Sequence, residues 1–110
     1  MNIEKNDKYT VITPSINNPF TDFYKQFTDK FKDLSNDNLI LNLLDTKVSL
    51  KELLQFENIS ANQLENGISF VIMNTAHHLD NIPDEMIVVP TFQEAIDMVE
   101  MDEMTRDLDF

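Results

Sequence analysis

The C-terminal quarter of the chain contains the pattern that most constrains its fold. Ile87–Val89 is a short run of β-branched residues, which predicts a buried strand. Pro90 ends this strand because proline has no backbone amide to donate to a sheet. Thr91 and Glu94 then match a capping box, which predicts that a helix begins there. The chain therefore closes with a strand that leads directly into a capped helix.

This last helix has two apolar stripes with different phases. The first has the i, i+3, i+4, i+7 spacing of one buried helix face and consists of Phe92, Ala95, Ile96 and Val99. Position 103 would continue it but is Glu103, and the apolar residues shift to Met101, Met104 and Leu108, with Phe110 at the end. Methionine side chains suit adaptable interfaces. We therefore expect residues 100–110 to project from the domain and to contact a partner or a second copy of the chain. The alternative is a frayed acidic helix end.

Three further segments of strand length precede this unit, at positions 9–13, 39–44 and 68–73. The middle segment is apolar almost throughout, which is typical of a central strand buried on both faces. Between the first two segments, aromatic and leucine residues recur at helical spacing. They are Phe20, Phe23, Tyr24, Phe27, Phe31 and Leu34. We predict an amphipathic helix there, capped by Asn18 with Pro19 at its first position.

A second helical segment is predicted between residues 49 and 66. Two residue pairs match capping boxes, Ser49 with Glu52 and Ser60 with Gln63. The second pair predicts that the helix breaks near Asn58 and restarts. Gly67 is the only glycine and follows this segment, where a residue in the left-handed region commonly ends a helix.

Strands and helices therefore alternate along the chain, which favours crossover connections between parallel strands. We predict an α/β fold with a mixed, mostly parallel sheet of four to five strands and crossover helices. The length of 110 residues fits a single domain, and neither an internal repeat nor a linker suggests a second one.

The charge of the chain indicates which partners it can bind. The formal net charge is −12, from 20 acidic and 8 basic residues. From Asp80 to the end there are ten acidic residues and one basic residue, Arg106. This charge disfavours direct binding to nucleic acids and anionic membranes. It is consistent with a solvated helix face or with a docking surface for a basic protein partner.

Cysteine is absent, which excludes disulfides, thiolate metal sites and thiol catalysis. The polar N-terminus does not resemble a signal peptide, and no apolar run is long enough to span a bilayer. These features predict a cytoplasmic protein.

Three segments resemble the STAS domain, the family of bacterial anti-sigma factor antagonists. They are the strand at 38–43, the strand after the single glycine at 67–73, and the strand, proline turn and helix start at 87–96. The likeness spans roughly residues 8 to 100. It implies a small scaffold that binds protein partners in the bacterial cytoplasm without catalysis. An alternative function is that of an acidic accessory subunit of a separate enzyme, for example a tRNA-processing ribonuclease.

Members of this family are switched by phosphorylation in a D-S-S/T-G-L pattern, and the matching positions here differ. Residues 45–50 read Asp-Thr-Lys-Val-Ser-Leu, without the Asp-Ser pair and the glycine. Ser49 is the candidate phospho-acceptor because a phosphate is favoured at a helix N-terminus, and Thr46 is a second candidate. Ser49 also suits a simple N-cap role. We therefore predict a binder without a working phospho-switch.

The sequence contains little that indicates catalysis. His77, His78 and Asp80 are the only metal-like group, and adjacent histidines in a strand point to opposite faces. Since metal sites need three or four convergent ligands, we predict no metal. One glycine cannot build a phosphate-binding loop and no nucleophile elbow is present, so we also predict no cofactor and no enzymatic activity. An alternative is a small ligand-binding or enzymatic domain, with a crevice at the carboxyl ends of the strands near Asp45, Asn74 and His77.

The leading prediction is thus a regulatory protein–protein interaction module, alone or as a homodimer. Its candidate surfaces are the start of the second helix and the acidic last helix. The candidate contact residues are Val48, Leu50, Asp97, Met101, Met104, Leu108 and Phe110.

Overall fold

The computed structural model of the chain describes residues 1–75 and 81–108, with side chains through Thr105. Five strands lie at β1 Asn2–Lys5, β2 Thr10–Thr13, β3 Leu39–Asn42, β4 Phe70–Met73 and β5 Ile87–Val89. The helices are α1 Phe20–Leu34, α2 Leu50–Leu53, α3 Glu57–Glu65 and α4 Phe92–Leu108. A 3₁₀ turn, Leu54–Phe56, joins α2 to α3, so the two form one continuous helical stretch.

The strands form one sheet in the order β1-β2-β3-β4-β5. β1 is antiparallel to β2, and the other three pairings are parallel. The register aligns apolar residues in two rows, one on each face, because side chains alternate along a strand. One row is Ile3, Ile12, Leu41, Ile72 and Val88, and the other is Val11, Ile40, Val71 and Ile87. The α/β fold with a mixed, mostly parallel sheet is confirmed.

The larger core lies between the first row and the α1, α2 and α3 side of the sheet. Its centre is aromatic: the fully buried Phe27 ring lies 5.7 Å from Phe56 and 6.1 Å from Phe70, measured between ring centroids. The smaller core lies on the other face, where Ala95 and Val99 of α4 pack against the second row. Helix α4 is thus the helix that covers this face among the described residues, and its outer side faces away from the sheet.

Two predicted helix starts were wrong in detail. Helix α1 begins at Phe20 with Pro19 in the N-cap position, and no side chain caps it. The amide of Asn18 instead donates to Gln26 Oε1 at 3.3 Å. Ser60 and Gln63, the second predicted capping box, do not form one, because both residues lie inside α3 and are buried. The Gln63 side chain donates to the Ser35 carbonyl at 2.8 Å, which joins α3 to the end of α1.

Other local predictions were confirmed. Gly67 has φ of 72°, in the left-handed region, and donates its amide to the Leu64 carbonyl. Ile68 donates to the Gln63 carbonyl at 2.8 Å, which completes a Schellman motif at the end of α3.

None of the helices in the described residues has both the length and the apolar character needed to span a membrane.

Candidate functional site

The outer face of α4 carries the most exposed apolar side chains that the sequence analysis named. Met101 is 59% exposed and Met104 is 64% exposed. Because successive residues of an α-helix are rotated by roughly 100°, both lie on the side opposite the buried Val99. Asp97 is also exposed on this side and accepts a hydrogen bond from the Gln93 side chain at 3.0 Å. Asp97, Met101 and Met104 therefore form one continuous surface, which we call the α4 outer face.

The start of α4 is capped much as the sequence predicts. The Glu94 amide donates to Thr91 Oγ1 at 3.2 Å, and the Thr91 hydroxyl donates to the Glu94 carboxylate at 3.0 Å. The carboxylate thus bonds to the hydroxyl of the capping residue. Phe92 was predicted to be buried, but it is 43% exposed and meets Tyr9 edge-on at the margin of the small core.

The C-terminal half of α4 is attached to the amino ends of the strands by polar contacts. Ser69 Oγ donates to Asp102 Oδ2 at 2.7 Å, and Asn38 Nδ2 donates to Glu103 Oε1 at 3.1 Å. Asn38 also accepts the Ser69 amide at 2.9 Å, so one side chain links β3, β4 and α4. These contacts use the carboxylates that interrupt the apolar stripe, and they hold the methionines outward. Asp102 and Glu103 therefore lie against the domain and do not project from it, whereas projection of the residues after Thr105 stays a prediction.

The negative charge is concentrated in the second half of the chain. Residues 1–51 contain seven acidic and seven basic residues, so the net charge of −12 lies entirely in residues 52–110. Arg106 is the only basic residue in that half. In the described ion pairs, α4 receives one lysine: Lys8 Nζ lies 3.9 Å from Glu100 Oε1, and both side chains are at least half exposed. Solvent screens such a pair strongly, so the charge of α4 is left largely uncompensated.

The start of α2 is an intact capping box. The Glu52 amide donates to Ser49 Oγ at 3.1 Å, and the Ser49 amide donates to Glu52 Oε1 at 2.9 Å. Ser49 is exposed, and Thr46 is half-buried with its amide bonded to the Leu43 carbonyl. Leu50 is half-buried, whereas Val48 is only 4% exposed and belongs to the larger core. Val48 is therefore not part of a surface that a partner could contact.

Replacing Ser49 with alanine should lower the free energy of unfolding by about 1 kcal/mol, because one amide of the first turn loses its acceptor. Ser49→Asp should retain most of the stability, since aspartate is an equally good N-cap. Urea unfolding of the two variants and the wild type measures the difference. Equal stability of Ser49→Ala and the wild type would show that the box contributes nothing.

A cleft of about 450 Å³ opens at the carboxyl ends of β2 and β3. Polar side chains and backbone from the two loops line it, including Asn17, Asn42, Asp45 and Thr46, together with the 92% exposed Ile16. Asn17 has φ of 61°, a left-handed conformation that asparagine tolerates better than most residues. Asn74 is buried and donates to the Leu43 carbonyl at 3.2 Å, which turns its amide group towards the backbone.

The remaining candidates fall outside the part of the chain that the structure describes. His77, His78 and Asp80 lie in the segment 76–80, and Phe110 follows the last described residue. Leu108 lies in α4, but its side chain is not described. Among the described residues, histidines, cysteines and carboxylates form no group that could hold a metal ion.

Sequence reasoning missed one exposed apolar residue beside α4. Leu64 near the end of α3 is 61% exposed and lines a groove of about 160 Å³ with Ile68, Asp102 and Thr105. No local signal in the sequence indicated this exposure. Leu64 lies eleven residues after the buried Leu53, close to three full helical turns, so an uninterrupted helix would place both on one face. The 3₁₀ turn Leu54–Phe56 interrupts the helix between them. The position of Leu64 next to α4 depends on the packing of distant elements.

No family model and no curated protein matches this sequence.

Proposed function

We propose that this protein is a non-catalytic, STAS-like interaction module that binds another protein through the α4 outer face. The exposure of Met101 and Met104 on the side opposite the core is the observation that carries the proposal. Large apolar side chains that are grouped on a surface, with charged residues around them, are typical of protein interfaces. The polar contacts of Asp102 and Glu103 hold this surface on a packed helix, which reduces the entropy lost on binding.

The resemblance to bacterial anti-sigma factor antagonists supports the same type of function, in the bacterial cytoplasm. From β2 onward, the observed element order follows the predicted alternation of strands and helices. The proposal contains no phospho-switch, because Ser49 already has a role in the capping box and lies beside the Glu52 carboxylate. A phosphate so close to a carboxylate would be repelled.

The test is purification of the tagged protein from its source cells, followed by reconstitution of the complex from purified components. We expect a stoichiometric protein complex by size-exclusion chromatography with light scattering. Met101→Ser combined with Met104→Ser should weaken it at least about tenfold, since two apolar side chains lose buried area. Ile16→Ser is the control, because it removes an even more exposed apolar side chain far from α4 in the sequence. A monomer without a protein partner would contradict the proposal.

The cleft at the carboxyl ends of β2 and β3 favours a second candidate function, the binding of a small ligand. Open α/β sheets commonly bind ligands at this edge. The cleft volume of about 450 Å³ lies within the range of ordinary ligand pockets, and Asp45 is among the residues that line the cleft. A small molecule that is retained through purification, together with the absence of a protein partner, would favour this candidate.

A further inference from the structure

We propose that the α4 outer face and the neighbouring groove bind a basic amphipathic helix of the partner protein. This inference rests on the proposed function and specifies the chemistry of the segment that is recognised. The site consists of the outer face of α4 and the end of α3, with Leu64, Ile68 and Thr105 along the groove between them.

The shape of this surface fits a helix. Met101 and Met104 are one helical turn apart, so their side chains form a ridge along α4. Gly67 has no side chain and turns the chain sharply after α3, which leaves the groove open beside this ridge. Amphipathic helices bind in such grooves through apolar residues at i, i+3, i+4 and i+7. An extended peptide would instead pair with an edge strand of the sheet. The edge strands of the described sheet are β1 and β5, whereas the proposed site is formed by α4 and the end of α3.

The apolar groups of the site are available for contact. Leu64 and Met101 are each more than half exposed. Thr105 donates its hydroxyl to the Met101 carbonyl at 3.0 Å, so this hydroxyl is already satisfied within the helix. Asp102 likewise accepts from Ser69. Both hydrogen bonds can persist when a partner covers the groove. This lowers the cost of burying the two polar side chains in an interface.

The charge around the site selects a basic segment. Glu65, Asp97 and Glu100 are exposed around the apolar residues, and residues 52–110 contain all of the excess negative charge. Opposite charges at the rim speed association and disfavour the wrong partners. The same charge argues against a second copy of the chain, because two α4 outer faces would repel each other.

The test uses synthetic 16-residue peptides and the full-length protein. The probe has leucines at i, i+3, i+4 and i+7 with lysines on the other face. One control peptide has glutamates in place of the lysines, and the other has the probe's composition in scrambled order. We expect the probe to bind at least about tenfold more tightly than either control in fluorescence anisotropy, and less tightly as salt increases.

Protein variants then locate the binding surface. Leu64→Ser with Met101→Ser and Met104→Ser should weaken probe binding at least about tenfold, whereas Ile16→Ser should leave it unchanged. Circular dichroism should show that all variants are folded, since each replaced side chain is largely exposed. Equal binding of the scrambled peptide, or full binding by the triple variant, would overturn the basic-helix inference. If either peptide result is obtained but the complex with the protein partner still forms, only the basic-helix inference is wrong and the proposed function stands. If no complex with a protein partner forms, the proposed function itself is wrong.

Discussion

Replacing Phe27 with alanine is expected to lower the free energy of unfolding by about 3–5 kcal/mol. Its ring is fully buried at the centre of the larger core, within 6.3 Å of Phe23, Phe31, Phe56 and Phe70 between ring centroids. Alanine would leave a cavity that four rings and a sheet cannot close. Because small domains are stable by only about 5–15 kcal/mol, this change removes a large part of the total. Urea unfolding, followed by circular dichroism, measures it.

The control for this prediction is Phe92→Ala. Phe92 is 43% exposed and contacts one other ring, Tyr9, at 6.1 Å between centroids. We expect a loss of about 1 kcal/mol, because less apolar area returns to water and the site is open to solvent. If both variants lost the same stability, the aromatic cluster would not be the main source of stability in the larger core.

Replacing Val99 with aspartate is expected to lower the free energy of unfolding by about 4 kcal/mol or more. Val99 is fully buried between α4 and the sheet, where a carboxylate would lack water. Burial of an unpaired charge is among the few single changes with so large an effect. The measurement is the urea midpoint with an unchanged slope.

Met101→Asp is the matched control for Val99→Asp, since it places the same group two residues further on the same helix. Met101 is 59% exposed, so its replacement should change stability by no more than about 0.5 kcal/mol. Similar losses in the two variants would mean that α4 does not pack with the face that contains Val99. That result would also remove the basis for the α4 outer face.

The strands show how well local sequence patterns predict the limits of an element. β5 matches its predicted limits because Pro90 ends it. The predicted strand 39–44 ends at Asn42 in the structure, where the Asn42 side chain accepts the Leu44 amide at 3.3 Å and favours a turn. β1 was not predicted from the sequence. Its sequence is polar apart from Ile3, and it forms because β2 supplies the hydrogen bonds of a hairpin.

The candidate site likewise has one part that the sequence predicts and one part that it does not. The change of apolar phase at Glu103 predicts that Met101 and Met104 leave the core stripe, and both are exposed. The groove beside them could not be predicted, because Leu64 and Thr105 are far apart in the chain and meet only when α3 and α4 pack near each other. Asn38 is similar: it looks like a turn residue in the sequence, yet it links two strands to α4.

By itself the sequence determined the type and approximate limits of the main elements, the capping of α2, the turn at Gly67 and the outward phase of the α4 methionines. These depend on residues within one or two helical turns of each other, where spacing and backbone preferences act directly. Only the tertiary structure decided the strand order, the placement of α4 on the face of the sheet opposite α1, α2 and α3, and the groove beside it. Those features depend on contacts between residues of different elements, often far apart in the chain, such as Asn38 with Glu103, which no local spacing encodes.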